Sequence, residues 1–447
     1  MKKISLLVLA GIILMSAAAF AGGSNDNRVT IRVLYYLEAS APNAVADANK
    51  WFSDFEKLHP NVKIERENLF DDPYHDKLRA YSAAGQLPDV MYVWPSGRSD
   101  YLHIQRQLKD LTYYIQRDGL AQYYSPITFD PRQQLSGTIT MFPQGVTSTH
   151  VFFTNMEVLN AVGLQPARTY TELVAQVPVL RAAGYQTVLI PAMSEWVMQS
   201  CLFSMVIGRF AGADWDTRIH NGTARFTDSD FVAAFDFIRR LYADGVISRE
   251  ALGVDYGDGP AMFASNRGAY YIDGDWRGGA FITDSGTGQA LITPARQANI
   301  RVGVFPDIDL PGVKLNRSSS SVIGTGYAIR ADIPVNSELE RLSWELVKYL
   351  LGKEISARRL ETGATPTPSR IDIDTAAIRL EPIQVGLGNL GNVAVNSTAV
   401  IDGVLASDVY EPINTGLIQL ALGQQTAQQV ATTVQAAYDT WRRANPR

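Results

Sequence analysis

The sequence predicts an α/β protein with two or three cores, and three observations support this. Its 447 residues exceed the roughly 150 that one domain usually holds. Strand, helix and strand patterns alternate at about thirty-residue spacing, which implies parallel pairing through right-handed crossovers. Hydrophobic residues make up 46% of the chain and charged residues 19%, enough apolar mass to bury such cores.

The rhythm is read element by element. Val29 to Val33 alternates apolar with polar and runs into Leu34-Tyr35-Tyr36, a strand. Val45, Ala48, Trp51, Phe52, Phe55 and Leu58 recur at helical spacing until Pro60 stops the helix. Val62 and Ile64 open a second strand, a helix runs through Tyr74 to Ala84 and ends at Gly85, and Val90 to Val93 forms a third strand. Ligands of a parallel sheet meet the carboxyl ends of its strands. Those ends are Glu38 to Ser40, Leu69 to Asp72 and Trp94 to Ser99.

A second α/β unit follows. Val151-Phe152-Phe153 reads as a strand, and Thr169-Tyr170-Thr171-Glu172 as a capping box opening a helix through Leu180. Val188-Leu189-Ile190 is the next strand, with a helical stretch from Glu195. Phe231, Phe235, Ile238 and Leu241 share one face of a helix from Asp230 to Asp244, closed by Gly245. Tyr270 to Ile272 and Val302 to Phe305 read as strands, Ser337 to Leu351 and Gln425 to Ala444 as helices, and Ser318 to Ser321 as a short loop.

Composition narrows the chemistry. A formal charge of −5 without a long basic run excludes nucleic acid as the expected partner. A single cysteine, Cys201, excludes an internal disulfide framework and multi-cysteine metal sites, and no two of the five histidines lie at metal-ligand spacing. No cofactor is called for. Lys2 and Lys3, the apolar run Ile4 to Met15 and Ala19-Phe20-Ala21 have the order of a secretory signal, cleaved before Gly22. No cysteine flanks that site to accept a lipid. An exported, soluble and acidic mature protein is expected.

A set of local motifs then carries a resemblance. Phe55 to Ile64 resembles the first helix-to-strand passage of the extracellular solute-binding proteins of ABC importers, the sugar-binding group similar to maltose-binding protein. Gly85-Gln86-Leu87-Pro88-Asp89-Val90 looks like that group's G-x-x-P-D-V signature. Thr154 to Leu159 with Gly163-Leu164, Tyr170 to Leu173, Met262 to Ala269 ending at Trp276, Ser320 to Ala328, and Gly363 to Pro368 resemble later elements in the same order. The resemblance covers nearly the whole mature chain. Phe153 stands where the group usually has Tyr, the spacing from Ala269 to Trp276 is longer than usual, and no lipobox is present, which within this group implies free diffusion in a periplasm.

The resemblance implies a two-lobed periplasmic-binding-protein fold, each lobe a mainly parallel sheet flanked by helices, with three hinge crossings. It places the signal at 1–21, the N-terminal lobe at 22–142 and 305–352, and the C-terminal lobe at 143–304 and 353–447. The crossings fall near Phe142-Pro143, Val304 to Pro306 and Leu351 to Arg358. It further implies a monomer that captures a carbohydrate, expected to be an oligosaccharide, between its lobes by hinge closure and delivers it to ABC permease subunits.

A sugar needs flat apolar surface for its C–H faces and charge-assisted hydrogen bonds for its hydroxyls. Asp273-Gly274-Asp275-Trp276-Arg277-Gly278-Gly279 packs an aromatic, two carboxylates and a guanidinium between glycines, making Trp276, Asp273, Asp275 and Arg277 the leading ligand candidates. Trp94, Trp196, Glu38, Asp71 and Ser148 join them from strand ends and from the first crossing. Trp51, Trp344 and Trp441 fall within helical periodicity and read as core, and Trp215 has no assignment. No G-x-S-x-G elbow, P-loop or H-E-x-x-H is present. The chain therefore reads as a binding protein rather than an enzyme. The competing readings are a receptor for a polyamine, peptide or metal ion, and a secreted glycoside hydrolase with a carboxylate pair.

Overall fold

The computed structural model describes residues 28–95, 97–131 and 137–445. The signal segment, with its cleavage site before Gly22, lies outside them. Two sheets organise the chain. The first has five strands in the order Val62–Leu69, Val29–Tyr36, Val90–Val93, Gly326–Ile329, Phe142–Pro143. The three early strands pair in parallel as expected, and Tyr36 lies opposite Leu69 in their register. Leu37-Glu38 and Phe70-Asp71 therefore leave the sheet side by side. The late strand Gly326–Ile329 is antiparallel to both its neighbours.

The second sheet has the order Gln186–Leu189, Gly268–Asp273, Val151–Asn155, Ile300–Gly303. Only Gln186–Leu189 and Gly268–Asp273 run in parallel. Val151–Asn155 runs antiparallel to both neighbours, so this sheet is mixed rather than mainly parallel. The register pairs Val151 with Asp273, bringing the turn after Asp273 against the chain entering from the first lobe.

The first sheet has one core, and the second sheet carries two clusters, the smaller one packing Val151, Phe153, Leu189 and Tyr271 against Ile383 and Leu387. Ile31, Val33, Phe52, Phe55, Val90, Met91 and Trp344 belong to the first. In the helix Ala44–Leu58, Ala48, Trp51, Phe52 and Phe55 are buried, while Val45 and Leu58 at the margins of the predicted face are exposed. Phe231, Phe235, Ile238 and Leu241, from the helix Ser229–Ala243, are all buried in the second core together with Trp215. Thr169 caps the helix Tyr170–Ala182 by accepting from the Glu172 N–H. The Glu172 carboxylate accepts from Arg168 N–H, one residue before the cap, so half of the predicted box forms.

The chain passes between the cores in three places, two of them later than expected. Phe305 and Ile308 pack in the second core rather than the first. The cause is Arg209, a fully buried guanidinium that donates to the carbonyls of Phe305 (2.8 Å) and Pro306 (2.6 Å) and to Ser318 Oγ (3.2 Å). Ser318–Ser319 is therefore no loose loop but a buried strand pairing in parallel with Asn396–Ser397. The chain rejoins the first core only at Ile323. The helix Lys353–Glu361, assigned from sequence to the C-terminal lobe, inserts Ile355 into the first core, and its Arg359 guanidinium lies 4.9 Å over Trp51. It stays in the N-terminal lobe.

The crossings lie side by side. Val146–Thr147 pairs antiparallel with Val322–Ile323, and Val146 N–H donates to Thr367 O of the third crossing (2.8 Å). Gly145 sits at their junction, where a Cβ would come within 2.5 Å of Thr367 O.

Candidate ligand site

The two lobes enclose a cavity of about 520 Å³. The predicted strand ends open onto it, contributing Glu38, Phe70, Trp94 and Arg98 from the first lobe. Trp196, Tyr256, Trp276, Arg277 and Asp402 face them from the second. Its size falls in the range of small-molecule sites, and its pattern of aromatic surface with a few charged groups fits one.

Trp276 stands on Gly274, where any Cβ would meet the indole ring at 2.2 Å. Glycine is required there because the ring occupies the side-chain space. The indole N–H donates to Tyr256 Oη (2.6 Å), and the Trp196 ring lies 6.2 Å away. Trp196 donates its own N–H to Asp71 Oδ1 across the cleft (3.0 Å), and the Arg98 guanidinium covers its ring at 4.8 Å. Trp94 is braced by Tyr36 (5.1 Å) and His75 (4.5 Å). Arg98 also donates to the imidazole of His75, which burial and Arg98 itself hold well below the usual histidine range.

Arg277 is almost wholly buried. Its Nε donates to Asp273 (2.8 Å), its Nη1 to Glu38 of the other lobe (3.0 Å), and its guanidinium lies 4.0 Å over the Tyr256 ring. Asp273 is fully buried and accepts from Tyr271 Oη, Tyr256 Oη and Gly274 N–H as well. These donors replace the hydrogen bonds with water that burial takes from its side chain.

Of the nine residues predicted to touch ligand, Trp276, Trp94, Trp196, Glu38 and Arg277 line the cavity. The other four build its walls. Asp273 is enclosed by its donors. Asp71, held at the helix start with a φ of 51°, accepts from Trp196 and Ser194. Asp275 and Ser148 clasp each other: Asp275 Oδ2 accepts Ser148 N–H (2.9 Å), and Asp275 N–H donates to Ser148 O (2.8 Å). Burial pushes the Asp275 carboxyl up to about 7.

Sequence reasoning missed Tyr36, Tyr256, Arg98 and Asp402. Tyr36 and Arg98 flank strand ends already singled out, so position marked them. Tyr256 and Asp402 fall outside the regular strands, and no local pattern marks them. Asp402 is buried beside Ser200, whose hydroxyl donates to it (3.0 Å), and burial raises its carboxyl above the ordinary range. Trp51, predicted as core, belongs to the first core and also lines the cavity.

Polar contacts close the lobes around the cavity. Asn43, in the left-handed conformation, donates its N–H to Asp284 (2.8 Å) and its amide to Thr283 O (3.2 Å), while its side-chain oxygen accepts Ser285 N–H (2.8 Å). At another edge, Ser407 N–H and Oγ donate to Asp100. Tyr410 Oη reaches Gly97 O (3.3 Å), where a Cβ on Gly97 would collide with the Tyr410 ring.

Comparison with known proteins agrees with this architecture. A chitin oligosaccharide binding protein superposes with a TM-score of 0.80 at 19% identity, covering 93% of this chain and 99% of that one. A structure described under xylan utilisation by Caldanaerobius polysaccharolyticus gives 0.79 at 21% identity, covering 91% and 99%. A curated lipoprotein from Streptomyces antibioticus is 29% identical over 97 residues, 22% of this chain and only 21% of the relative's own length. Among the described residues no helix is long and apolar enough to cross a membrane. The sequence model for bacterial extracellular solute-binding proteins matches residues 37–357, well over half of the chain, and the protein belongs to that family.

Proposed function

We propose that the protein captures a neutral oligosaccharide in the interlobe cavity by hinge closure about the three crossings, without turnover, and presents it to an ABC permease after export to the periplasm. The observation that carries the reading is the cavity wall itself. Indole and phenol surfaces from both lobes face one another, interspersed with a few charged hydrogen-bonding groups. That combination suits a ring with apolar faces and a hydroxyl rim. The similar chitin oligosaccharide binding protein supports the ligand class.

The cavity charge argues against a polyamine. Glu38 is paired with Arg277, and Arg98 and Arg359 add further positive charge to the lining. Asp47 is paired with Arg358, and Asp402, the lining carboxyl without an ion pair among the described residues, is raised above the ordinary range by burial, so little free negative charge is left for a dication.

A melting screen against chitin-, xylo- and malto-oligosaccharides tests the reading. A ligand at a hundred times its dissociation constant stabilises by about 2.7 kcal/mol, which a melting curve resolves. The expected result is a clear shift with one oligosaccharide class and no product after prolonged incubation. Shortened product would point to a hydrolase, and a shift with spermidine alone to a polyamine receptor.

A further inference from the structure

The first crossing leaves the first sheet at one edge, from Phe142–Pro143, and the opposite edge strand is Val62–Leu69. Just past the end of Val62–Leu69, Asp71 accepts from Ser194 Oγ (2.9 Å) and Trp196 Nε1 (3.0 Å) of the second lobe. Beside it the Phe70 ring stacks on Tyr256 of the second lobe, with centroids 6.1 Å apart. The loops after the next two strands are tied across as well. Asn43 N–H donates to Asp284 (2.8 Å), and Asp100 accepts from Ser407 N–H (2.9 Å). A ligand that runs out past this row of strand ends has to break a tie between the lobes.

Aromatic surface decides which tie it meets. The Trp276 ring lies 6.2 Å from Trp196 and the Trp196 ring 4.8 Å from Tyr256, whose stack on Phe70 completes the run to the sheet edge. Sugar rings rest on such faces, so a chain extended from Trp276 along them arrives at Trp196. Trp196 lines the cavity, and Asp71, which holds its indole N–H, stands behind it. The cavity of about 520 Å³ lies within the roughly 300–1,000 Å³ that takes a drug-sized ligand, and about two or three sugar rings are of that size.

We propose that the bar formed by Asp71, Trp196, Phe70 and Tyr256 sets the length of oligosaccharide the protein accepts, admitting about two or three units and selecting against longer chains. This rests on the carbohydrate reading and sharpens it, from an oligosaccharide of any length to a short one held whole. A longer chain laid along Trp276 displaces Trp196 from Asp71. It thereby costs hydrogen bonds made to a carboxylate, which are among the stronger ones in a protein. A chain that stops at Trp196 leaves those bonds in place. Selectivity then comes from a contact that the wrong ligand breaks, with no added contact to the right one.

The test titrates the full chain calorimetrically with chito-, xylo- and malto-oligosaccharides of one to six units. In the series that binds, the wild type is expected to hold the hexamer about tenfold or more weakly than the trimer. Asp71→Gly tolerates the left-handed backbone at this position and removes the acceptor of both bonds. It is expected to bring the ratio of trimer to hexamer affinity close to one. If Asp71→Gly does not melt cooperatively, Trp196→Phe, which keeps an aromatic face and lacks the N–H, gives the same comparison. A tie that merely held the lobes together would change the affinity for every length by one factor. That unchanged ratio overturns the proposal, as does a wild-type affinity that stays level or rises from three to six units. No binding at any length in any of the three series rejects the carbohydrate reading beneath it.

Discussion

At the scale of single residues, the seven tryptophans of this chain divide by what covers their faces. Trp215 and Trp344 are buried in the cores, at 0% and 1% exposure, whereas Trp276 stands at the cavity wall. Trp276→Ala is expected to weaken oligosaccharide binding by about 2 kcal/mol or more, over tenfold in affinity. Trp344→Ala is expected to cost about 3–5 kcal/mol of fold stability instead. Titration and melting of the two variants side by side check the division. Asp275 gives a second prediction, from its carboxyl raised to about 7 by burial. The folded state holds this proton more tightly than the unfolded chain, so stability is lost as pH rises from the ordinary carboxylate range to about 7. Melting temperature is expected to fall between about pH 4 and pH 7 in the wild type. Asp275→Asn, which keeps an oxygen for Ser148 N–H, is expected to flatten that slope. These roles were only partly legible in the sequence. The glycine-flanked cluster pointed to Trp276 and Arg277, which line the cavity, but spacing alone does not distinguish a carboxylate at the cavity surface from one buried behind it. Asp273 and Asp275 are both of the second kind.

At the scale of elements, the strand ends were readable because alternation and helix stops fix them locally, and in-register pairing of Tyr36 with Leu69 then brings Glu38 and Phe70 to one edge. The later crossings were not readable, because what fixes them is distant. Arg209, on the helix Ser204–Ala211, holds Phe305 and Pro306 nearly a hundred residues away. Its guanidinium is pulled down to about 9 by burial and has no carboxylate within ion-pair distance among the described residues. Arg209→Leu leaves several buried acceptors unmet, so a loss of about 3–5 kcal/mol is expected in denaturant unfolding. The helix Ser407–Leu422 was also missed, since Pro412 and Gly416 interrupt the pattern that sequence reading relies on. Gly416 is there because a Cβ would meet Val430 at 2.4 Å, a packing reason invisible from local sequence.

At the scale of the whole molecule, the two-lobed architecture was legible from the order of weak motifs, while the contacts joining the lobes were not. Asn43 is the clearest of these, bonding to Asp284, Thr283 and Ser285 of the other lobe. Asn43→Gly removes its side chain while tolerating the left-handed backbone. It is expected to disfavour closure by about 2 kcal/mol with little change in melting temperature. Small-angle scattering of the variant is then expected to show a larger radius than the wild type, and sugar saturation to reduce it. Equal radii in the two proteins would place the control of closure elsewhere. The proposed function requires that one cavity, walled by both lobes, holds the sugar. A crystal structure with the tightest-binding oligosaccharide decides this. A sugar ring is expected against Trp276, between the lobes, within hydrogen-bond distance of Glu38 and Arg277. A sugar bound on the outer surface, with Trp276 and Arg277 untouched, would contradict it.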